Sequence, residues 1–176
     1  MRRVEQPNHL RYLTFSCSNR RRLLGTPALR DLMIECLDLA RRKHGFHLIA
    51  YVVMPEHVHL LAWPRLPSDP MHLGLGLAKQ VFAQRAIARW IELEAPVISK
   101  ITDEHGHKVV WQPGGGYDRN IMTDDERVEK TYYIHNNRVT RGLVKGATDW
   151  EWSSALWYSQ ERNRSKLSMD PACRPS

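Results

Sequence analysis

Two β-prone runs, residues 46–53 and 58–63, are separated only by Met54-Pro55-Glu56-His57, and this short link constrains the fold more than any other feature. A parallel crossover needs a dozen or more residues, so the two runs are committed to an antiparallel hairpin. Side chains alternate along a strand, so with Val58 and Leu60 on one face, His57 and His59 emerge side by side on the other. Two imidazoles so placed can hold one metal ion. Such a pair is often merely structural, yet the adjoining run Leu60-Leu61-Ala62-Trp63 makes two unpartnered imidazoles costly, which favours a metal.

The rest of the chain supplies helices and one more strand. Residues 9–17 alternate roughly between apolar and polar and run into the basic loop Ser18-Asn19-Arg20-Arg21-Arg22. Thr26 and Pro27 mark a helix start, and Leu29, Leu32, Met33, Cys36, Leu37 and Ala40 recur at helical spacing until Arg41-Arg42-Lys43 and Gly45. A second helix is expected over 70–94, with Leu73, Leu77, Val81, Phe82, Ile87 and Trp90 inward and Lys79, Gln84, Arg85 and Arg89 outward. Residues 96–121 read as a glycine-containing loop with at most one short strand, able to order around a ligand. Thr123-Asp124-Asp125-Glu126 is a capping box, so a third helix starts at Asp124, passes through Asn137 and stops at Gly142. Trp150, Trp152 and Trp157 must bury aromatic surface. The order β-α-β-β-α-(β)-α predicts an α+β domain over 1–160, a central antiparallel sheet with helices packed on it, and a basic, mobile tail over 161–176.

A chain of 176 residues suits one domain with its own core. Its 26 Lys and Arg against 19 Asp and Glu leave a net charge of +7, which fits a polyanion such as nucleic acid as well as it fits simple solubility. Cys17, Cys36 and Cys173 form no Cys-x-x-Cys site, and their odd number points to a reducing compartment. No apolar stretch approaches the roughly 20 residues of a membrane span. A cytoplasmic protein without membrane contact is therefore expected.

On the third helix Tyr133 and Asn137 stand at i, i+4 and share a face, as do Glu129 and Tyr133. Laid beside the histidine strand, that face would bring together a phenol, an amide oxygen and two imidazoles: a nucleophile beside a three-ligand divalent-cation site. These motifs resemble a known family. His57-Val58-His59 after Met54-Pro55, then Trp111-Gln112, Tyr117-Asp118-Arg119, Tyr133-Ile134-His135-Asn136-Asn137, Arg141-Gly142-Leu143-Val144 and Asp149-Trp150-Glu151-Trp152-Ser153-Ser154-Ala155 are similar, in the same order, to single-tyrosine HUH transposases. The REP-associated tyrosine transposase branch is the nearest in likeness, over residues 8–158.

The resemblance implies a ferredoxin-like HUH nuclease fold and a metal-dependent single-stranded DNA endonuclease and strand transferase. Its substrates would be single strands beside DNA hairpins, REP-like palindromes. Carried over residue by residue, His57, His59 and Asn137 are ligands of Mg²⁺ or Mn²⁺. Tyr133 is the nucleophile, forming a 5′-phosphotyrosine and freeing a 3′ hydroxyl. Relatives work as monomers or homodimers, with the tyrosine helix serving its own subunit or a partner. Two positions depart from the pattern: Arg138 replaces a proline, and Glu56 replaces the asparagine common before the first histidine.

The chemistry is consistent. A cation on a phosphodiester neutralises its charge and stabilises the transition state by several kcal/mol. A tyrosine, with an ordinary pKa of about 10, must lose its proton on attack. Read from the residues alone, Tyr132 competes with Tyr133 for this role, and Asn137 reads equally as a helix C-cap. His105 and His107 read as solvated, and Tyr158 as packed or DNA-bound. Arg20, Arg21, Arg22, Arg41, Arg42, Lys43, Lys79 and Arg85 are candidate phosphate contacts, with Trp111 and Tyr117 as surfaces for unpaired bases. A DNA-hairpin-binding module or regulator without turnover is the alternative function.

Overall fold

The computed structural model describes residues 9–65, 71–114 and 116–170. Strand β1 (Leu10–Ser16) leads to helix α1 (Pro27–His44), the hairpin strands β2 (Phe46–Val53) and β3 (His57–Pro64), and helix α2 (Met71–Glu92). The short helix α3 (Val97–Ile101), strand β4 (Tyr117–Ile121), helix α4 (Asp124–Thr140) and helical turn α5 (Ala155–Tyr158) follow. The four strands form one antiparallel sheet in the order β2-β3-β1-β4. This is the predicted α+β architecture. Of the positions used in the sequence reading, residue 70, where the second helix is expected to start, Cys173 and the rest of the tail beyond residue 170 lie outside the described ones.

Local signals set the helix ends. Thr26 Oγ1 accepts from Leu29 N–H at the start of α1, Pro27 opens it, and Gly45 closes it in the left-handed conformation at φ 59°. Thr123 Oγ1 accepts from Glu126 N–H at 3.1 Å, while Glu126 Oε2 reaches back to Met122 N–H at 2.8 Å. Three acidic residues in this first turn of α4 complement the helix dipole.

The hairpin pairs Val53 with Val58 and Phe46 with Pro64, with one irregularity between Leu48 and Ala50. That bulge resets the alternation: Phe46, Leu48, Tyr51 and Val53 all face the core under α1 and α2, together with Leu13, Phe15, Leu60 and Phe82. Ala50, Val52 and Met54 turn to the other face, where Tyr12, Leu61, Trp63 and Ile121 meet Ile134 of α4. His57 and His59 pair with Ser16 and Thr14 of β1 on this second face.

The one short strand allowed within 96–121 is β4, at the end of that range and away from the apolar group Val109-Val110-Trp111. Tyr-Asp-Arg-Asn-Ile is polar because it is an edge strand whose outer backbone faces water. Its place is fixed by pairing with β1, by an ion pair between Arg11 and Asp118, and by Gly116. At φ 81°, a Cβ on Gly116 would lie 1.9 Å from the Thr14 carbonyl oxygen, so only glycine lets the chain approach β1 there.

Residues 152–154 cover the outer edge of β2: Val53 N–H donates to Trp152 O, and Ser154 N–H to Tyr51 O. As far as residue 170 the expected tail is tied down, with Asp170 N–H donating to Leu48 O at 3.0 Å and Lys166 Nζ 2.8 Å from Asp31.

Candidate active site

β3 begins at the histidine pair, and both imidazoles are buried on the α4 side of the sheet. Their Nε2 atoms stand 2.9 Å apart. The other nitrogens of the two rings differ in their surroundings. His59 Nδ1 lies 2.8 Å from both Tyr12 Oη and Thr14 Oγ1, and His57 Nδ1 lies 3.2 Å from Glu56 Oε1. With the proton on Nδ1, the Tyr12 and Thr14 oxygens accept from His59, whereas His57 Nδ1 is buried without a hydrogen bond and has only the nearby Glu56 carboxylate; both Nε2 atoms are then free to act as acceptors. Two ligands at about 2.1 Å from a cation and at right angles stand ~3.0 Å apart, so the spacing suits one ion.

Electrostatics keeps the rings neutral, the form that ligates metal. Burial pushes His57 down to about 4, against a partial upward pull from Glu56. Burial, and then the neighbouring His57, push His59 down to about 3. Burial opposes ionisation of Glu56, but Arg141, 2.5 Å away, and His57 outweigh it and hold the carboxyl below its usual range. Burial raises the Tyr12 phenol to about 12, so it stays a protonated hydrogen-bonding partner.

Helix α4 lies across this face, anchored by the fully buried Ile134. Tyr133 is 47% exposed, with its ring centroid 5.6 Å from that of His59 and 6.2 Å from that of Tyr12. One turn later Asn137 is buried, and its Oδ1 has no hydrogen-bond partner. A buried amide oxygen without a partner, on the helix that covers the histidine face, fits a ligand for a divalent cation. Tyr132 is 69% exposed.

Arg138 explains how α4 continues where a proline would interrupt it. Its side chain is fully buried, donates to Val53 O at 2.7 Å and stacks 3.4 Å from the Trp150 ring centroid. Burial and the neighbouring Arg30 lower it to about 9. The helix then runs to Thr140 and is capped at Arg141, so Asn137 is an interior residue.

The other candidates divide. Arg20, Arg21 and Arg22 lie on the loop after β1, which is bonded to the β2–β3 turn through Cys17 N–H to Glu56 O and Leu24 N–H to Pro55 O, each 2.8 Å. Arg20 lies near enough to influence His57. Arg41, Arg42 and Lys43 end α1 beside Phe46, at the far end of the hairpin and roughly 20 Å from His57 by strand rise. Arg41 and Arg42 pair with Asp38 there. Lys79 and Tyr117 line one small cleft between α2 and the β1–β4 edge. Arg85 lies exposed, 3.8 Å from Glu35. Trp111 packs on Phe15 and Phe82 and donates to Lys79 O, so much of its ring is already covered. His105 and His107 are exposed, and Tyr158 donates to Ile49 O at 2.6 Å.

Sequence reading missed Tyr12, Thr14 and Arg141. Tyr12 and Thr14 alternate with Leu13 and Phe15, a visible sign that they share a face, but the register that sets them against His59 is a property of the sheet.

No protein-family model matches the chain. It is 27% identical over 143 residues to the REP-associated tyrosine transposase of Escherichia coli (strain K12), a match covering 81% of this chain and 74% of that relative. A putative REP-associated tyrosine transposase of Haemophilus influenzae is 24% identical over 111 residues, 63% of this chain and 60% of that one. Among solved structures, a REP-associated tyrosine transposase bound to a REP hairpin has a TM-score of 0.71 at 22% identity, covering 99% of this chain and 93% of its own. The chain is thus similar to these transposases along most of its length, as the motifs predict.

Proposed function

We propose that this chain, as a relative of the REP-associated tyrosine transposases, cuts and rejoins single-stranded DNA beside hairpins. Tyr133 is the nucleophile, and His57, His59 and Asn137 hold a divalent cation, Mg²⁺ or Mn²⁺. The observation that carries the reading is the pair of neutral Nε2 atoms 2.9 Å apart beside the half-exposed Tyr133 ring, on the sheet face covered by the helix that also carries the bare Asn137 oxygen. The likeness to a transposase bound to a REP hairpin and the net charge of +7 support a DNA hairpin as partner.

When bound, the cation would neutralise a phosphate and stabilise the charge that builds on it during attack. The protein's own groups do the rest. The rings of His59 and Tyr12 flank the Tyr133 ring, while its exposure leaves the phenol open to a strand lying along the surface. Tyr133 Oη forms a bond to phosphorus as the bond from phosphorus to the 3′ oxygen breaks, and the phenol proton passes in net terms to the released 3′ hydroxyl. The product is a 5′-phosphotyrosine. Because the phosphoester is conserved, an incoming 3′ hydroxyl reverses the step without ATP.

Tyr133 sits beside the histidines of its own chain, which supports a tyrosine helix acting within one subunit, as a monomer or in each half of a homodimer. No helix among the described residues is long and apolar enough to cross a membrane. A DNA-acting protein of the cytoplasm fits this reading.

The test is incubation with a REP-like hairpin oligonucleotide carrying single-stranded flanks, with Mg²⁺ or Mn²⁺. A covalent protein–DNA adduct is expected, absent in Tyr133→Phe and in metal-free buffer. An adduct that survives Tyr133→Phe removes Tyr133 as nucleophile, and tight hairpin binding without cleavage under either metal favours the binding module.

A further inference from the structure

We propose that a cavity beside the histidine pair, between Arg22 and Arg141, seats one backbone phosphate of the DNA strand adjacent to the one attacked. This rests on the function proposed above and assigns that site a second point of contact. The cavity, about 300 Å³, is walled by Arg22, Pro55, Glu56, Arg141 and Leu143. Glu56 directly precedes His57, so a strand filling this cavity passes the cation ligands within the same stretch of backbone.

The chemistry of the walls selects the ligand. The carboxylate of Glu56 is already engaged, by Arg141 at 2.5 Å and by His57 at 3.2 Å. Arg141 keeps further N–H donors and is 45% exposed. Arg22 is exposed and has no carboxylate partner among the described residues. Two guanidinium forks facing one opening, with Arg20 near the adjoining histidine, favour a tetrahedral oxyanion. Pro55 and Leu143 add an apolar edge suited to a deoxyribose.

Arg22 is also held by a built scaffold. Its loop is bonded to both residues that begin the cavity wall, through Leu24 N–H to Pro55 O and Cys17 N–H to Glu56 O. It turns through two consecutive non-glycine residues in the left-handed region, Asn19 and Arg20, each at φ 51°. Asn19 N–H donates to Gln112 Oε1 at 3.1 Å, which ties the turn to the segment before β4.

The experiment measures binding of a hairpin oligonucleotide with single-stranded flanks by the non-cutting Tyr133→Phe protein, against KCl concentration, with and without Arg22→Ala. Losing one phosphate contact should lower the slope of log affinity against log salt by about 0.7, the value for one single-strand phosphate. Arg22→Lys should recover most of that slope. In a scan placing one neutral methylphosphonate at each flank position, a single position should weaken the Arg22 protein and leave Arg22→Ala unaffected. Equal slopes and equal scans overturn the inference while leaving the adduct test of the function intact. Arg22→Ala that weakens inorganic phosphate as a competitor but not the oligonucleotide also overturns it, since the cavity then takes free anions. Absence of any DNA binding overturns both readings together.

Discussion

On the α1–α2 face of the sheet, Leu13, Phe15, Leu60 and Phe82 close an apolar core, whereas on the α4 face the same strands present Tyr12, Thr14, His57 and His59. The first face gains stability from removing apolar area from water. The second spends some of it. Asn137 Oδ1 and two guanidinium nitrogens of Arg138 are buried there without partners, and two imidazoles are held neutral far below their ordinary pKa. Groups preorganised for a ligand are poorly satisfied without it, so a binding face built on a shared sheet needs a sealed face behind it.

Truncation on the sealed side should show this most strongly. Phe82→Ala is expected to cost about 3–5 kcal/mol in urea denaturation, because it empties a fully buried ring site between α2 and the sheet. A loss below 1 kcal/mol would mean that this face is not the stabilising one.

Acid should act on the other face. His57 and His59 are held to about 4 and about 3, against an unfolded value of about 6.5. The unfolded chain therefore takes up protons first. Metal-free stability is fully present above pH ~6.5 and is lost as pH falls toward the folded values. Replacing both histidines with glutamine should flatten the urea midpoint between pH 7 and pH 4, and an unchanged slope would assign acid sensitivity elsewhere.

A third variant should change sign. Asn137→Leu removes a buried acceptor whose orphaning costs on the order of 1–3 kcal/mol, so the metal-free protein should gain about 1 kcal/mol while its Mn²⁺ affinity, read by calorimetric titration, is lost. Destabilisation instead would show that the amide is structural. Tyr133→Phe should move stability least, within about 0.5 kcal/mol, because the phenol is half-exposed, yet it should abolish the adduct.

How far each element was legible follows from how local its cause is. The hairpin, α1 and α4 declare themselves through a four-residue link, Thr26-Pro27 with Gly45, and the Thr123–Glu126 box, all readable within one turn or strand. The place and pairing of β4, allowed only as one short strand somewhere in 96–121, were not legible because an edge strand need not be apolar, and its pairing depends on β1, over a hundred residues earlier. The candidate site was half legible: His57 and His59 announce themselves by i, i+2 spacing, whereas for Tyr133 and Asn137 the i, i+4 spacing must be joined by the family resemblance, since Tyr132 competes and Asn137 also reads as a C-cap. Tyr12, Thr14 and Arg141 carry no such local mark.

The sequence by itself determined which side chains share a face of a strand or a helix, because those periods are set by backbone geometry a few residues long. Only the tertiary structure decided which face meets which. The order β2-β3-β1-β4 places Thr14 opposite His59 and swings Tyr12 onto its Nδ1, and the crossing of α4 brings Arg141 onto Glu56 and Tyr133 against His59. Those contacts join residues far apart in the chain, and strand register and helix docking are settled by the packing of the whole sheet.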